Sequence, residues 1–102
     1  MPELHHLTAH EQWNSLQRGE FTPTELATHY LDRIARLDGD LGAFVTVTAD
    51  AARARARDVE SAVQRSEPLW GLPFADKDLV QRKGVRTTFG SRLFADYVPE
   101  VS

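Results

Sequence analysis

A single lysine, Lys77, closes the short apolar run Leu69-Trp70-Gly71-Leu72-Pro73-Phe74-Ala75, with Asp76 before it and Asp78 after it. A lysine so placed can accept a proton in catalysis only if its surroundings strip the proton it normally carries. Near neutrality this means lowering an amine pKa from about 10.4 to about 7, which costs roughly 4–5 kcal/mol. Burial in a low-dielectric pocket can supply a shift of that size, and contact with a carboxylate opposes it. A strand running through this segment would put Leu72, Phe74, Asp76 and Asp78 on one face. Pro73, Ala75 and Lys77 would then share the other, with both aspartates pointing away from the amine. The competing reading is a solvated lysine at a strand end, paired with Asp76 or Asp78 and worth little to stability.

The elements that must position Lys77 can be read from cap signals and hydrophobic spacing. Thr8-Ala9-His10-Glu11 has the form of a capping box, so a helix is expected over 9–18 with Gly19 as its stop. Thr22-Pro23-Thr24-Glu25 repeats the signal with proline at the first helical position. Phe21 and Leu26 are spaced as a hydrophobic staple. This second helix is expected over 23–37, with Leu26, Tyr30, Ile34 and Leu37 on one face and an end near Asp38-Gly39. The β-branched and aromatic run over 43–48 predicts a strand. A third helix is expected over 49–65, with a stripe of Ala52, Ala56, Val59 and Val63. A second strand over 69–76 and a hairpin over 79–88, turning at Lys83-Gly84, complete the reading. Two or three strands make a thin sheet for three helices. The chain therefore reads as the front part of a larger α/β protein, or as one whose sheet another molecule completes.

The chain has 102 residues, 41% of them apolar and 26% charged, which is the composition of an ordinary globular domain. The absence of cysteine excludes disulfides, thiolate metal sites and a cysteine nucleophile. A net charge of −3 argues against general affinity for nucleic acid. The basic cluster Arg53-Ala54-Arg55-Ala56-Arg57 reads as a solvated helix surface, with Asp50 and Glu60 at helical spacing to partner it. No long apolar run and no secretory signal are visible, so a cytoplasmic protein without membrane contact is expected.

Other residues that could do chemistry read more plainly as structure. Ser91 lacks an adjacent histidine or a glycine-framed elbow, and suits a turn or a supporting hydrogen bond. Thr87 and Thr88 suit strand propensity or support around the site. His6 and His10 lie four apart, but the cap at Thr8 breaks the helical spacing between them. With His5 they read as a frayed terminus with no carboxylate at ligand spacing, so no metal is expected. Trp13 and Trp70 read as core or interface aromatics.

Taken together, Gly71-Leu72-Pro73, Lys77-Asp78 four residues on, Gly84-Val85, and Thr87-Thr88-x-Gly90-Ser91 resemble the lysine-bearing segment of the amidase signature family. The order of the preceding segments is similar too, so the resemblance spans about 7–99. It implies an α/β fold in which residues 1–102 supply the N-terminal helices and first strands of an incomplete mixed sheet. It also implies a serine–serine–lysine triad. Lys77 would be the terminal base that deprotonates a bridging serine, which in turn activates a nucleophilic serine. Both serines lie in a glycine- and serine-rich stretch found further along family members, and no such run occurs here. Only Lys77 carries over as catalytic, and the chain alone is expected to be inert. Asp78, Thr87, Thr88 and Ser91 are read as supporting residues.

Two positions depart from the family pattern: Asp76 stands where an apolar residue is usual, and Phe89 where a smaller one is common. The resemblance implies hydrolysis of a small-molecule carboxylic amide to acid and ammonia or amine, without a cofactor. It leaves homo-oligomerisation of the intact enzyme open. Asp78-Leu79 and Thr88-Phe89-Gly90-Ser91 look closer to stand-alone amidases. The alternatives are the A subunit of glutamyl/aspartyl-tRNA amidotransferase and a small non-enzymatic interaction domain docking through an open strand edge.

Overall fold

The structure is a computed structural model that describes residues 3–61 and 65–102. Its regular elements are three α-helices, α1 (Ala9–Gln17), α2 (Pro23–Leu41) and α3 (Ala49–Glu60), with short 3₁₀ turns at Leu4–His6 and Arg92–Phe94. The chain divides into two compact units, one over Met1–Gly42 and Ala49–Pro73, the other over Ala43–Thr48 and Phe74–Ser102.

The first unit is helical. Thr8 closes a complete capping box on α1: its hydroxyl accepts from the Glu11 amide at 3.1 Å, and the Glu11 carboxylate accepts from the Thr8 amide at 2.9 Å. Thr22 closes only half of one on α2. Its hydroxyl accepts from the Glu25 amide at 3.0 Å, but the Glu25 carboxylate turns to the Thr22 hydroxyl instead of the Thr22 amide. Glu60 from α3 reaches across to accept from the Thr24 amide at 2.8 Å, so α3 helps to satisfy the open end of α2. Among the described residues Glu60 forms no ion pair with the arginines of α3. The unit's core gathers Leu16, Phe21, Leu26 and Trp70, with Leu4, Leu7, Tyr30, Val59 and Leu72 packed against it. Val63, the last residue of the expected α3 stripe, lies outside the described residues.

The terminus carrying His5 and His6, expected to fray, is docked. Gln12 donates to the Leu4 carbonyl at 2.9 Å and to the Tyr30 hydroxyl at 2.7 Å, so a buried amide ties the 3₁₀ turn to α2. The helix α2 also passes its expected stop. Gly39 stays helical, at a cost of about 1 kcal/mol relative to alanine. Gly42 takes the left-handed conformation and donates to the Asp38 carbonyl at 2.7 Å, which ends the helix.

The expected α/β fold is corrected: the described residues contain helices and no strand. Residues 43–48 are exposed and irregular despite their β-branched composition. A strand needs a ladder of backbone hydrogen bonds with a neighbour, and among the described residues no ladder forms along this run. Over 69–76, Pro68 and Pro73 remove backbone donors, and Leu69 and Gly71 take positive φ of 67° and 79°. The Trp70 amide then donates to Glu67 and the Leu72 amide to Leu69, as tight turns do. The hairpin over 79–88 shrinks to one antiparallel bridge, Arg82 with Val85, around the Lys83-Gly84 turn. Gly71 also allows close approach, since a Cβ there would meet Leu16 Cδ1 at 3.0 Å and Pro23 Cγ at 3.1 Å.

Candidate active site

The second unit carries Lys77, and side chains reaching over the backbone hold it in place of a ladder. The backbone of Lys77 is pinned: its carbonyl accepts from the amides of Leu79 at 2.7 Å and Val80 at 3.0 Å, forming a β-turn. The side chain of Lys77 is exposed and has no hydrogen bond or ion pair among the described residues. The burial that a neutral lysine requires is thus not supplied by this stretch of chain.

Both flanking carboxylates have other partners. Asp76 accepts from Arg82 Nε at 2.6 Å, and the Arg82 guanidinium lies 5.7 Å above the Phe74 ring. Asp78 accepts from the Thr88 amide at 2.8 Å through Oδ1 and from the Thr88 hydroxyl through Oδ2. That hydroxyl accepts in turn from the Gly90 amide at 3.2 Å, and the Phe89 amide donates to the Asp78 carbonyl at 3.1 Å. The Thr88 hydroxyl, and then the Thr88 and Gly90 amides, hold the Asp78 carboxyl below the usual carboxylate range. The expectation that both aspartates avoid Lys77 assumed strand alternation. The structure replaces alternation with two explicit clasps.

The clasp at Asp78 fixes a bend. Phe89 and Gly90 adopt consecutive positive φ of 52° and 71°. For a side-chain-bearing residue this costs about 1–2 kcal/mol. The Phe89 ring packs against Phe94 and Tyr97, at centroid distances of 5.3 and 6.2 Å, which offsets part of that cost. The two departures from the family pattern thus each have a local partner, Arg82 for Asp76 and two aromatic rings for Phe89.

The other candidate residues are placed as follows. Thr88 is buried and bridges Asp78 to Gly90. Thr87 is buried at 2% exposure; its amide donates to the Tyr97 carbonyl and its hydroxyl to the Val85 carbonyl. Ser91 accepts from the Leu93 amide at 3.2 Å and caps the Arg92–Phe94 turn, so its hydroxyl serves the backbone. Arg86 donates to the Ala95 carbonyl, and the Gly84 amide donates to that of buried Pro99, so the return segment is stitched to the bend. A broad depression lined by Lys83, Gly84, Val98, Pro99 and Glu100 does not include Lys77. Sequence reasoning missed Arg82. Its one signal was a cation six residues beyond the unexpected Asp76.

The geometry pins the backbone of one lysine and ties up the two carboxylates beside it. Its setting within the Gly71 to Ser91 pattern is matched by family comparison, in which the family described as Amidase covers residues 25–102. This chain belongs to that family. Over 100 residues it is 45% identical to the A subunit of glutamyl-tRNA(Gln) amidotransferase from Moorella thermoacetica, covering 95% of this chain and 20% of the relative. The protein of that name from Roseiflexus sp. is 41% identical over 101 residues, covering 97% and 21%. That of Moraxella catarrhalis is 41% identical over 100 residues, covering 96% and 20%. The chain thus spans about a fifth of the length of these curated relatives.

These relatives correct the leaning toward stand-alone amidases. That leaning rested on Asp78-Leu79 and on Thr88 to Ser91. In the structure Asp78, Thr88 and Ser91 shape the backbone of a bend, work that does not depend on the substrate. No helix among the described residues is long and apolar enough to cross a membrane.

Proposed function

We propose that this chain is the lysine-bearing part of a longer protein acting as the A subunit of a glutamyl-tRNA(Gln) amidotransferase. The observation that carries the reading is identity of 41–45% across nearly the whole chain to relatives of that name. The reaction would release ammonia from an amide donor, for use at the glutamyl group carried on tRNA.

In this reading Lys77 is the terminal base. Its neutral amine takes a proton from a bridging serine, which takes one from the serine that attacks the amide carbonyl. The acyl group is then held on that serine while ammonia leaves, and water releases the acid. Both serines would lie in polypeptide outside these 102 residues, and the same polypeptide would cover the exposed Lys77 and keep it dry. Two features of the structure support the role. Arg82 and Thr88 occupy the carboxylates that would otherwise hold the ammonium charged. The turn that accepts at the Lys77 carbonyl fixes where the side chain starts.

The test is to tag the intact protein and ask what copurifies and what reaction follows. The reading expects partner subunits and ammonia transfer to glutamyl-tRNA(Gln) by the assembled complex. An intact protein that stays alone and hydrolyses free amides without any transfer would refute it.

A further inference from the structure

The first unit carries a cluster of ligating side chains that the reading of Lys77 leaves unused. Glu3, His5 and His6 each offer one ligand atom, and the three atoms lie within 4.8 Å of one another. The Glu3 carboxylate and His5 Nε2 are 3.2 Å apart, and the His5 and His6 ring centroids 4.2 Å. Tetrahedral ligands at 2.0–2.1 Å from a zinc ion sit about 3.3 Å from each other. The first pair is already at that spacing, and His6 is an exposed side chain with freedom to close the third edge.

A second feature gives this cluster direction. His5 Nδ1 lies 2.9 Å from His29 Nε2 on α2, and the two rings stack with an interplanar angle of 16°. When one nitrogen of an imidazole binds a metal, a hydrogen bond at the other fixes its tautomer and its orientation. The tautomer in which Nδ1–H donates to His29 leaves the lone pair of His5 Nε2 free for an ion shared with the Glu3 carboxylate. The sequence hid this arrangement because the turn is a 3₁₀ one, closed by the His6 amide on the Glu3 carbonyl at 2.9 Å, and it brings together residues three apart that helical spacing by four does not flag.

We propose that Glu3, His5 and His6 bind one borderline divalent transition ion, of the zinc class, with His29 as a positioning residue and water in the fourth place. Two imidazoles and one carboxylate suit zinc better than the hard cations magnesium or calcium, which take all-oxygen sets. The ion would clamp the Leu4–His6 turn onto α2, adding to the bonds that Gln12 makes there. This site does not rest on the reading of Lys77, and either can fail without the other.

The test uses the full-length protein, with zinc in competition against a chromophoric chelator and cobalt(II) as a spectroscopic probe. The proposal expects one zinc per chain and the intense visible bands of tetrahedral cobalt. Glu3→Gln and His6→Ala, both at exposed positions that leave the fold intact, should each weaken binding at least ~10-fold. His29→Ala should weaken it about 10–100-fold and alter the cobalt bands. His10→Ala should change nothing. Binding that persists in the Glu3→Gln, His6→Ala double variant, or that His10→Ala reduces as much as His6→Ala does, would overturn the proposal. So would weak octahedral cobalt bands alone.

Discussion

The helical unit and the lysine-bearing unit are built by different means. In the first, Thr8 and Thr22 cap α1 and α2 from within their first turns, and Glu60 of α3 adds a bond at the start of α2. Leu16, Phe21, Leu26 and Trp70 close a core. In the second, the described residues form only a 3₁₀ turn and one bridge. Order there comes from side chains bonded to distant backbone and to one another: Asp78 to Thr88, Asp76 to Arg82, Arg86 to Ala95. The contrast is one of energetics as well as form. Apolar burial holds the helices, and satisfied polar groups hold the bend. The site sits on the bend, where the Asp78 clasp and the rings of Phe94 and Tyr97 accompany a positive φ at Phe89; Leu69 in the helical unit holds one too.

The largest effect that sharpens this comparison is expected from Leu26→Ala, since Leu26 is fully buried in the helical core. Loss of about 2–5 kcal/mol is expected, read as a lowered midpoint in far-ultraviolet circular dichroism. Amide exchange at Thr88 should change far less than exchange in α1 and α2. Equal loss of protection in both places would abolish the distinction drawn between the units.

A smaller effect is expected from Gly71→Ala, where φ is 79° and a new Cβ would crowd Leu16 and Pro23. The left-handed conformation alone should cost about 1–2 kcal/mol. The same denaturation measurement checks it, and a neutral result would show that the turn at Leu69 to Gly71 does not set the packing of Trp70.

The smallest effect concerns pH and the bend. The Asp78 carboxyl is held below its usual range by Thr88 and Gly90, so the folded state binds its proton less readily than the unfolded chain. Its contribution is therefore present above about pH 4, the unfolded value, and is lost as pH falls through the lower folded one. Carbon-13 shifts of the Asp78 carboxyl should titrate below the usual range, with the Thr88 amide shift moving in step. A titration at or above about 3.9 would show that the clasp is absent in solution.

The same division explains what was legible in the sequence. Thr8 with Glu11, and Thr22 with Glu25, announce their helices because cap and capped amide are three residues apart. Gly39 misled because a glycine only permits a stop, and the helix ended at Gly42, where the left-handed turn forms. Residues 43–48 misled because β-branched composition describes what suits a strand without supplying the ladder that makes one. Lys77 stood out through the glycines and prolines before it and the spacing of Gly84, Gly90 and Ser91 after it. The clasps around it did not, because bonds spanning six or ten residues leave no periodic trace. Thr88 read as a strand former or as a support around the site, and its hydroxyl links Asp78 to Gly90, a bond the sequence did not specify.

The central claim is that Lys77 works as a proton acceptor rather than as a fixed positive charge. Its most direct test is turnover by the intact protein carrying Lys77→Ala or Lys77→Arg, with folding checked by circular dichroism. The account predicts a loss of about 10²–10⁴-fold in both variants, because arginine keeps the charge but cannot give up its proton. Full activity in Lys77→Ala, or rescue by Lys77→Arg, would contradict it.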